Sequence, residues 1–442
     1  MLKILLRTLR AAFFRSTLLD QRTTPDDAHN TEILIPLMQR KHGILVLLAM
    51  VLFCMPPMLF ASEDSERFAA WLQALRLEAR QQGISEQTVQ AALTDVQPIP
   101  RVIELDRRQP EFTQTFLDYL NDRVTPQRIA RGREMLRKHR VLLAQVYKKY
   151  RIPPRYLVAF WGLETNFGKH LGAFPVVNSL ATLAFDERRS DFFRQELLDA
   201  LLILDQGHVS VADMKGSWAG AIGNLQFLPS TFLKYSVDAT GDGKNDVWNN
   251  LVDVFHSGGN YLQQLGWQPE QLWGREVRLP EDFDWRQARL EVKKPVAQWA
   301  ALGVTRANGR PLPRADLQGA IVLPQGNAGP AFLVYDNFEV ILRWNRSINY
   351  GIAVGHLADR LIGLPPLRNG LDVDNRPLSR EQVMQLQEAL NRLGFYEGET
   401  DGIIGSRTRK ALRAYQAKAQ LPVDGHASLP LLKQLRGQLP AP

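Results

Sequence analysis

The 442-residue sequence predicts a mainly α protein with a small β-rich insertion and a separate set of short helices at its C-terminal end. Three observations predict it. Apolar residues recur at helical spacing through the first half, and prolines, glycines and short apolar runs replace that pattern from about 268 to 330. The last block, from 378, alternates helical stripes with glycine turns. At roughly 150 residues per domain, the length allows two or three folding units. Hydrophobic residues at 45% and charged residues at 23% are ordinary globular values, which excludes a mainly disordered or collagen-like chain. Lys and Arg number 54 against 46 Asp and Glu, a net +8 that suits an anionic partner without demanding one.

From Met38 the order is basic (Gln39-Arg40-Lys41-His42), then almost wholly apolar from Gly43 to Phe60, then Ala61-Ser62 and the polar Glu63-Asp64-Ser65-Glu66. This is the pattern of a secretory signal peptide over residues 38–61, so export is expected. A membrane anchor needs about 20 apolar residues, a length this run nearly reaches, but Pro56-Pro57 near its end favours cleavage. Residues 1–37 precede a complete signal and carry no sustained period, so translation is expected to start at Met38. The one cysteine, Cys54, lies in the apolar run, which excludes disulfide frameworks, cysteine zinc sites and thiol nucleophiles elsewhere. Phe53 before it, where a lipoprotein signal wants a small residue, argues against lipid anchoring at Cys54.

Phe68, Trp71, Leu72 and Leu75 mark one helical face, and Leu136, Leu143, Val146, Tyr147 and Tyr150 another. Between them lies a basic cluster that includes Arg128, Arg131, Arg133 and Arg137. It reads as a solvated face, because its arginines are spread around a helix with apolar neighbours and no aromatic stacking platform, so no nucleic acid is expected. Pro153-Pro154 starts a further helix that runs through Tyr156, Phe160, Trp161 and Leu163 and ends near Gly168. Glu164, near its end, has Phe160, Trp161 and Phe167 at helical spacing. Rings around the carboxyl would disfavour its charged form and make it a general-acid candidate. Spacing alone favours an exposed helix glutamate.

Short runs at Glu276 to Leu279 and Ala320 to Leu323 read as strands of the β-rich part, and helical periodicity returns from Phe332 to Ile362. Leu364-Pro365-Pro366 and the polar stretch to Arg376 read as a linker. In the last block Val383, Leu386, Leu390 and Leu393 mark one helix, Thr408, Leu412 and Tyr415 a second, and Leu429, Leu432 and Leu435 a third. The string Leu393-Gly394-Phe395-Tyr396, Thr400-Asp401-Gly402-Ile403-Ile404-Gly405, Arg407-Thr408, Tyr415-Gln416 and Leu421-Pro422-Val423-Asp424-Gly425 resembles the peptidoglycan-binding module of bacterial wall enzymes.

A second resemblance covers most of the chain. Gly162-Leu163-Glu164-Thr165-Asn166-Phe167-Gly168, Gly216-Ser217-Trp218-Ala219-Gly220-Ala221-Ile222-Gly223, Gln226-Phe227-Leu228-Pro229-Ser230, Asn337-Phe338 and Arg343-Trp344-Asn345-Arg346-Ser347 through Tyr350 are similar to the lytic murein transglycosylases of the membrane-bound lytic transglycosylase B family. The resemblance implies a lysozyme-like catalytic domain over 62–366, a linker at 367–377 and a peptidoglycan-binding domain over 378–442. It also implies cleavage of the bond between N-acetylmuramic acid and N-acetylglucosamine with closure of a 1,6-anhydro ring and Glu164 as the single acid, then base. The same resemblance places Ser217, Gln226, Tyr261, Asn345 and Tyr350 around Glu164, where hydroxyls, amides and a tyrosine ring can hold the sugar. Asn224-Leu225 before Gln226 and Trp344 depart from the fuller family pattern, which puts subsite details in doubt.

Asp238-x-Thr240-x-Asp242-Gly243-x-x-Asp246 resembles the start of a calcium-binding hand loop, although Asn249 stands where a closing Glu is usual and Asp253 would have to close a longer loop. The expected cofactor list is therefore empty for catalysis, with a structural calcium considered at this loop. Peptidoglycan glycan strands are the expected partner of a periplasmic monomer, with cell-wall synthesis proteins as further partners. The competing readings are a hydrolytic muramidase, using a second carboxylate such as Asp186, Asp205 or Asp213, and a non-catalytic wall-binding protein.

Overall fold

The computed structural model describes residues 58–108, 114–371 and 376–439. The 1–37 extension, Cys54 and most of the expected signal peptide lie outside the described residues, as do linker residues 372–375. Residues 58–70 begin helix α1 (Met58–Gln81), with an exposed Arg67–Asp64 ion pair at 3.4 Å. From Trp71 to the C-terminus the chain forms one contiguous unit.

Helices dominate this unit. After α1 come α2 (Glu86–Leu93), α3 (Pro100–Arg108), α4 (Phe116–Arg123), α5 (Pro126–Lys138), α6 (Arg140–Tyr150) and α7 (Pro154–Thr165). The apolar stripe expected from Leu136 to Tyr150 is shared by two helices, because the chain turns at His139 (φ −102°, ψ 19°) between α5 and α6. Then follow α8 (Val176–Phe185), α9 (Ser190–Asp205), α10 (Pro229–Tyr235) and α11 (Leu251–Gln264). Side-chain oxygens of Ser85, Thr115, Thr125 and Asn250 accept first-turn N–H groups of α2, α4, α5 and α11, the partners that helix starts otherwise lack.

The β-rich part is a five-stranded antiparallel sheet in the order β4-β6-β7-β3-β5, formed by β3 (Gly274–Arg278), β4 (Lys294–Pro295), β5 (Thr305–Arg306), β6 (Gln318–Val322) and β7 (Ala331–Val334). Helix α12 (Val296–Ala301) belongs to the same part, and Trp299 lies in its core with Val277, Phe283 and Ile321. The structure corrects one boundary. Phe332, expected to open a helix, lies in β7, whose four residues are all buried, and helix resumes only with α13 (Asp336–Trp344) and α14 (Ile348–Leu361). A continuous apolar run of this length fits a central strand as well as a buried helix, so periodicity alone misassigned it.

Helix α14 returns to pack on α7 and α5. Gly355 of α14 makes room for Trp273, the residue before β3, whose ring a Cβ would meet at 2.1 Å. The last three helices, α15 (Arg380–Arg392), α16 (Ser406–Lys418) and α17 (Leu429–Gly437), fall where the sequence stripes put them and close around Leu386, Leu390, Leu412, Tyr415 and Leu435. The start of the linker is tied down, since the backbone N–H groups of Arg368 and Asn369 reach the Glu276 carboxylate at 3.0 and 2.8 Å.

Candidate active site

Helix α7 is buried on every side from Tyr156 to Gly162, which is why its sequence is apolar with little amphipathic character. It stops at three consecutive left-handed residues, Asn166, Phe167 and Gly168, with φ of 51°, 61° and 78°. Non-glycine residues in that region persist only where their surroundings hold them. The hold comes from Asn224, which is 4% exposed. Its Oδ1 accepts Trp161 Nε1–H at 2.8 Å, and its amide donates to the carbonyls of Val247 (3.2 Å) and Trp248 (2.7 Å). Its own carbonyl accepts the Thr165 hydroxyl at 2.8 Å, and Thr165 Oγ1 in turn accepts Gly168 N–H at 3.0 Å. A Cβ at Gly168 would meet Asn224 Oδ1 at 2.7 Å, so the turn also needs glycine for space.

This frame sets Glu164, half-buried, at the last turn of α7. Its Oε1 accepts Trp344 Nε1–H at 3.1 Å and the hydroxyl of Tyr350. Burial, then the Glu164 carboxylate, pushes the Tyr350 phenol well above its ordinary value, so the tyrosine keeps its proton and serves as a donor. Trp344 is stacked on Phe160 (4.2 Å between centroids, 27°) and lies against Tyr261 (4.9 Å) and Phe227 (5.4 Å). The ring environment expected from spacing is therefore present in part. Phe160 joins the stack that carries Trp344, whereas Trp161 turns its N–H to Asn224 and packs edge-on to Phe167.

The other expected residues come from the loops after β2, from α11 and from the end of α13. Ser217 lies on the loop after β2 (Lys215–Gly216), which pairs with β1 (Phe174–Pro175), and its Oγ accepts Ala221 N–H at 3.0 Å. Gln226 is half-buried with φ 50°, and its amide donates to Leu171 O (3.2 Å) and Gly223 O (3.0 Å). Tyr261 of α11 is buried between Trp344 and Tyr235, and burial raises its pKa. Asn345 caps α13, with Oδ1 accepting Ser347 N–H at 3.0 Å. The structure thus links Tyr350, and Tyr261 through Trp344, to the acid, and fixes Ser217, Gln226 and Asn345 through backbone groups. Beside the end of α7 a cavity of about 570 Å³ is lined by Asn166, Phe167, Gly168, Lys169, Arg128 and others.

Trp344 and Asn224 were not among the expected site residues, although both stood out in the sequence as departures from the family pattern. The carboxylates of the hydrolytic alternative are each held elsewhere. Asp186 pairs with Arg107 at 3.3 Å, Asp205 accepts Ser85 N–H at 3.1 Å, and Asp213 accepts the Ser210 hydroxyl at 2.6 Å.

In the Asp238–Asp246 loop, Asp238 accepts N–H groups of Gly241, Asp242 and Gly243, Asp242 accepts Lys244 N–H, and Asp246 accepts those of Trp248 and Asn249. Asp253 accepts Ala239 and Asp246 N–H. The donors are the hard oxygens calcium takes. Among the described residues, however, no three His, Cys, Asp or Glu side chains gather as a metal cluster.

A mostly helical fold thus carries a helix-borne glutamate under the Trp344 N–H and the Tyr350 hydroxyl. A family model described as the transglycosylase SLT domain matches residues 67–359, and the chain belongs to that family. A model for a peptidoglycan binding domain matches residues 379–435. The membrane-bound lytic murein transglycosylase B of Escherichia coli is 29% identical over 290 residues, 62% of this chain and 78% of that protein. The crystal structure of SltB3 from Pseudomonas aeruginosa in complex with NAG-anhNAM-pentapeptide is 44% identical, with a TM-score of 0.80 over 84% of this chain and 99% of that one. The Escherichia coli lytic transglycosylase SLT35, solved in complex with calcium, is 27% identical, with a TM-score of 0.57 over 66% of this chain and 92% of that one. The chain is therefore a lytic transglycosylase homologue with a C-terminal peptidoglycan-binding domain. Among the described residues, no helix is long and apolar enough to cross a membrane.

Proposed function

We propose that this enzyme cleaves the glycan strand without water, with Glu164 as its single acid and base. The observation that carries the reading is the pair of neutral donors, Tyr350 and Trp344, on the carboxyl of a helix-borne glutamate in a lytic transglycosylase fold. Glu164 protonates the leaving oxygen of N-acetylglucosamine as the bond from C1 of N-acetylmuramic acid breaks. The muramic acid's own hydroxymethyl oxygen then attacks C1 and gives its proton to the Glu164 carboxylate, which closes the anhydro ring and restores the acid. The substrate's acetamido group stabilises the positive sugar in between. Inverting hydrolysis needs a second carboxylate to activate water, and retaining hydrolysis usually needs a carboxylate nucleophile. Intramolecular closure needs neither, which agrees with Asp186, Asp205 and Asp213 each being engaged elsewhere.

Ser217, Gln226 and Asn345 supply hydroxyl and amide groups for the sugar's acetamido and hydroxyl groups, and Tyr261 offers a ring face. Domain limits of 62–366, 367–377 and 378–442, and export to the periplasm by the 38–61 segment, belong to the same reading. The chemistry draws on no cofactor. A structural calcium at the Asp238–Asp246 loop rests on the ligand spacing and on the calcium in the SLT35 structure; a calorimetric titration without heat at millimolar calcium removes it. Purified sacculi digested with the wild type are expected to release muropeptides with anhydro ends, and Glu164→Gln none. Reducing ends in the wild-type digest revive the hydrolase.

A further inference from the structure

The C-terminal helices and the catalytic part enclose a cavity of about 280 Å³ that lies apart from the Glu164 residues. Five arginines line it, Arg107 and Arg188 from the catalytic part and Arg376, Arg380 and Arg409 from the linker and C-terminal helices, together with His426, whose pKa burial lowers. No Asp or Glu is among its described lining residues. Between the charges, Phe116, Leu378, Val383 and Ile403 supply apolar surface. The two walls are joined, because Asn327 N–H of the catalytic part donates to Asp424 Oδ2 at 2.9 Å.

Arg409 is the informative member. Its guanidinium makes no hydrogen bond or ion pair among the described residues, although Asp424 is the carboxylate whose charge it feels. Asp424 is already engaged, with Oδ1 accepting Gln416 Nε2–H (2.7 Å) and His426 N–H (2.8 Å). Among the described residues, the Arg380 guanidinium reaches only the Asp401 carbonyl, at 3.4 Å. Arg107 and Arg188, by contrast, are paired with Asp186 and Asp106. Arg409 is exposed to solvent, and the protein packed beside it, then the Arg413 charge, lowers its pKa. An exposed guanidinium that no protein carboxylate engages is available to pair with an incoming anion.

We infer that this cavity binds a carboxylate-bearing peptide of the wall polymer, with Arg409 holding a carboxylate and the apolar wall holding small side chains. The inference rests on the peptidoglycan reading above. It adds a peptide contact at the seam of the two parts, so that holding one strand's peptide fixes the C-terminal helices and the catalytic part on the same polymer and raises the local concentration of glycan.

The test is calorimetric titration of the full-length protein with a synthetic stem pentapeptide, with the same peptide amidated at its carboxylates, and with inorganic phosphate. The expected result is saturable binding of the free-acid peptide, weakened at least about tenfold by Arg409→Gln, as loss of a charged hydrogen bond implies. The amidated peptide should bind equally weakly to the wild type, which keeps the test decisive even where the variant fails to fold. Equal affinity for the two peptides overturns the inference, as does an unchanged affinity in a folded Arg409→Gln protein. Phosphate that displaces the peptide at similar concentration makes this a general anion site and also overturns it. Peptide affinity in Glu164→Gln should match the wild type, so failure of peptide binding and failure to form anhydro ends are read independently.

Discussion

The surroundings of Glu164 and the arginine-lined cavity both combine apolar or aromatic walls with a few polar groups, but they gather opposite kinds of polar group. At Glu164 a phenol and an indole N–H approach an acid. At the cavity, guanidinium groups meet with no acid among the described lining residues. The difference follows from the work each has to do. A carboxyl that must give and take back a proton is orientable by neutral donors, whereas a fixed cation against it would favour its charged form throughout. A site that only holds an anion has the reverse need, since charge-assisted contacts give the strongest hold.

Substitutions around the acid sharpen the contrast. Glu164→Gln should lower anhydro-product release by at least about a thousandfold, within the range contributed by general acid–base groups, while sacculus pull-down persists. A variant that keeps its rate would make the acid idle and break the comparison at its first side. Tyr350→Phe removes one donor to the carboxyl and should cost on the order of tenfold to a hundredfold in kcat, with KM nearly unchanged. Trp344→Phe keeps a ring on Phe160 but loses the N–H, and a smaller loss, roughly severalfold to tenfold, is expected; equal losses in both variants would show that stacking rather than the hydrogen bond positions the acid.

Buried ionisable groups outside both sites give the smallest effects and a sign test. Burial pushes Asp359 up to about 6 and His356 down to about 4, and both line a third cavity, where Trp273 Nε1–H donates to Asp359 at 2.9 Å. An acid raised in the fold binds more protons folded than unfolded, so its share of stability falls as pH rises from about 4 to about 6. A histidine lowered in the fold does the opposite, and its share rises from about pH 4 to its ordinary value near 6.5. The two nearly cancel in the wild type. Asp359→Asn should unmask the histidine's rise and lift Tm at neutral pH by a few degrees, on the order of 1 kcal/mol; an unchanged Tm–pH profile contradicts the assignment.

The sequence made the helical parts legible because their stripes are long and regular. All three C-terminal helices appear at Val383 to Leu390, Thr408 to Tyr415 and Leu429 to Leu435, and α7 starts at Pro154 as the proline pair implied. Strand β7 was misread because Ala331 to Val334 is apolar on both faces and carries no period. Glu164 was legible through its motif, and Tyr350 through the resemblance, while the role of Trp344 as a donor was not. Trp344 and Tyr350 lie 180 and 186 residues further on, and only the packing of α14 against α7 brings that end of the chain back. Asn224 was hidden for the same reason, since its partners Trp161, Thr165, Val247 and Trp248 come from two segments distant from it in sequence.

The most direct test of the central claim is the origin of the oxygen at the new glycan end. Sacculi digested by the wild-type enzyme in heavy-oxygen water should yield muropeptides one water lighter than reducing ends, with no solvent oxygen incorporated. Heavy oxygen at C1 of the released muramic acid would mean that water is the acceptor and would contradict the single-glutamate, water-free reaction.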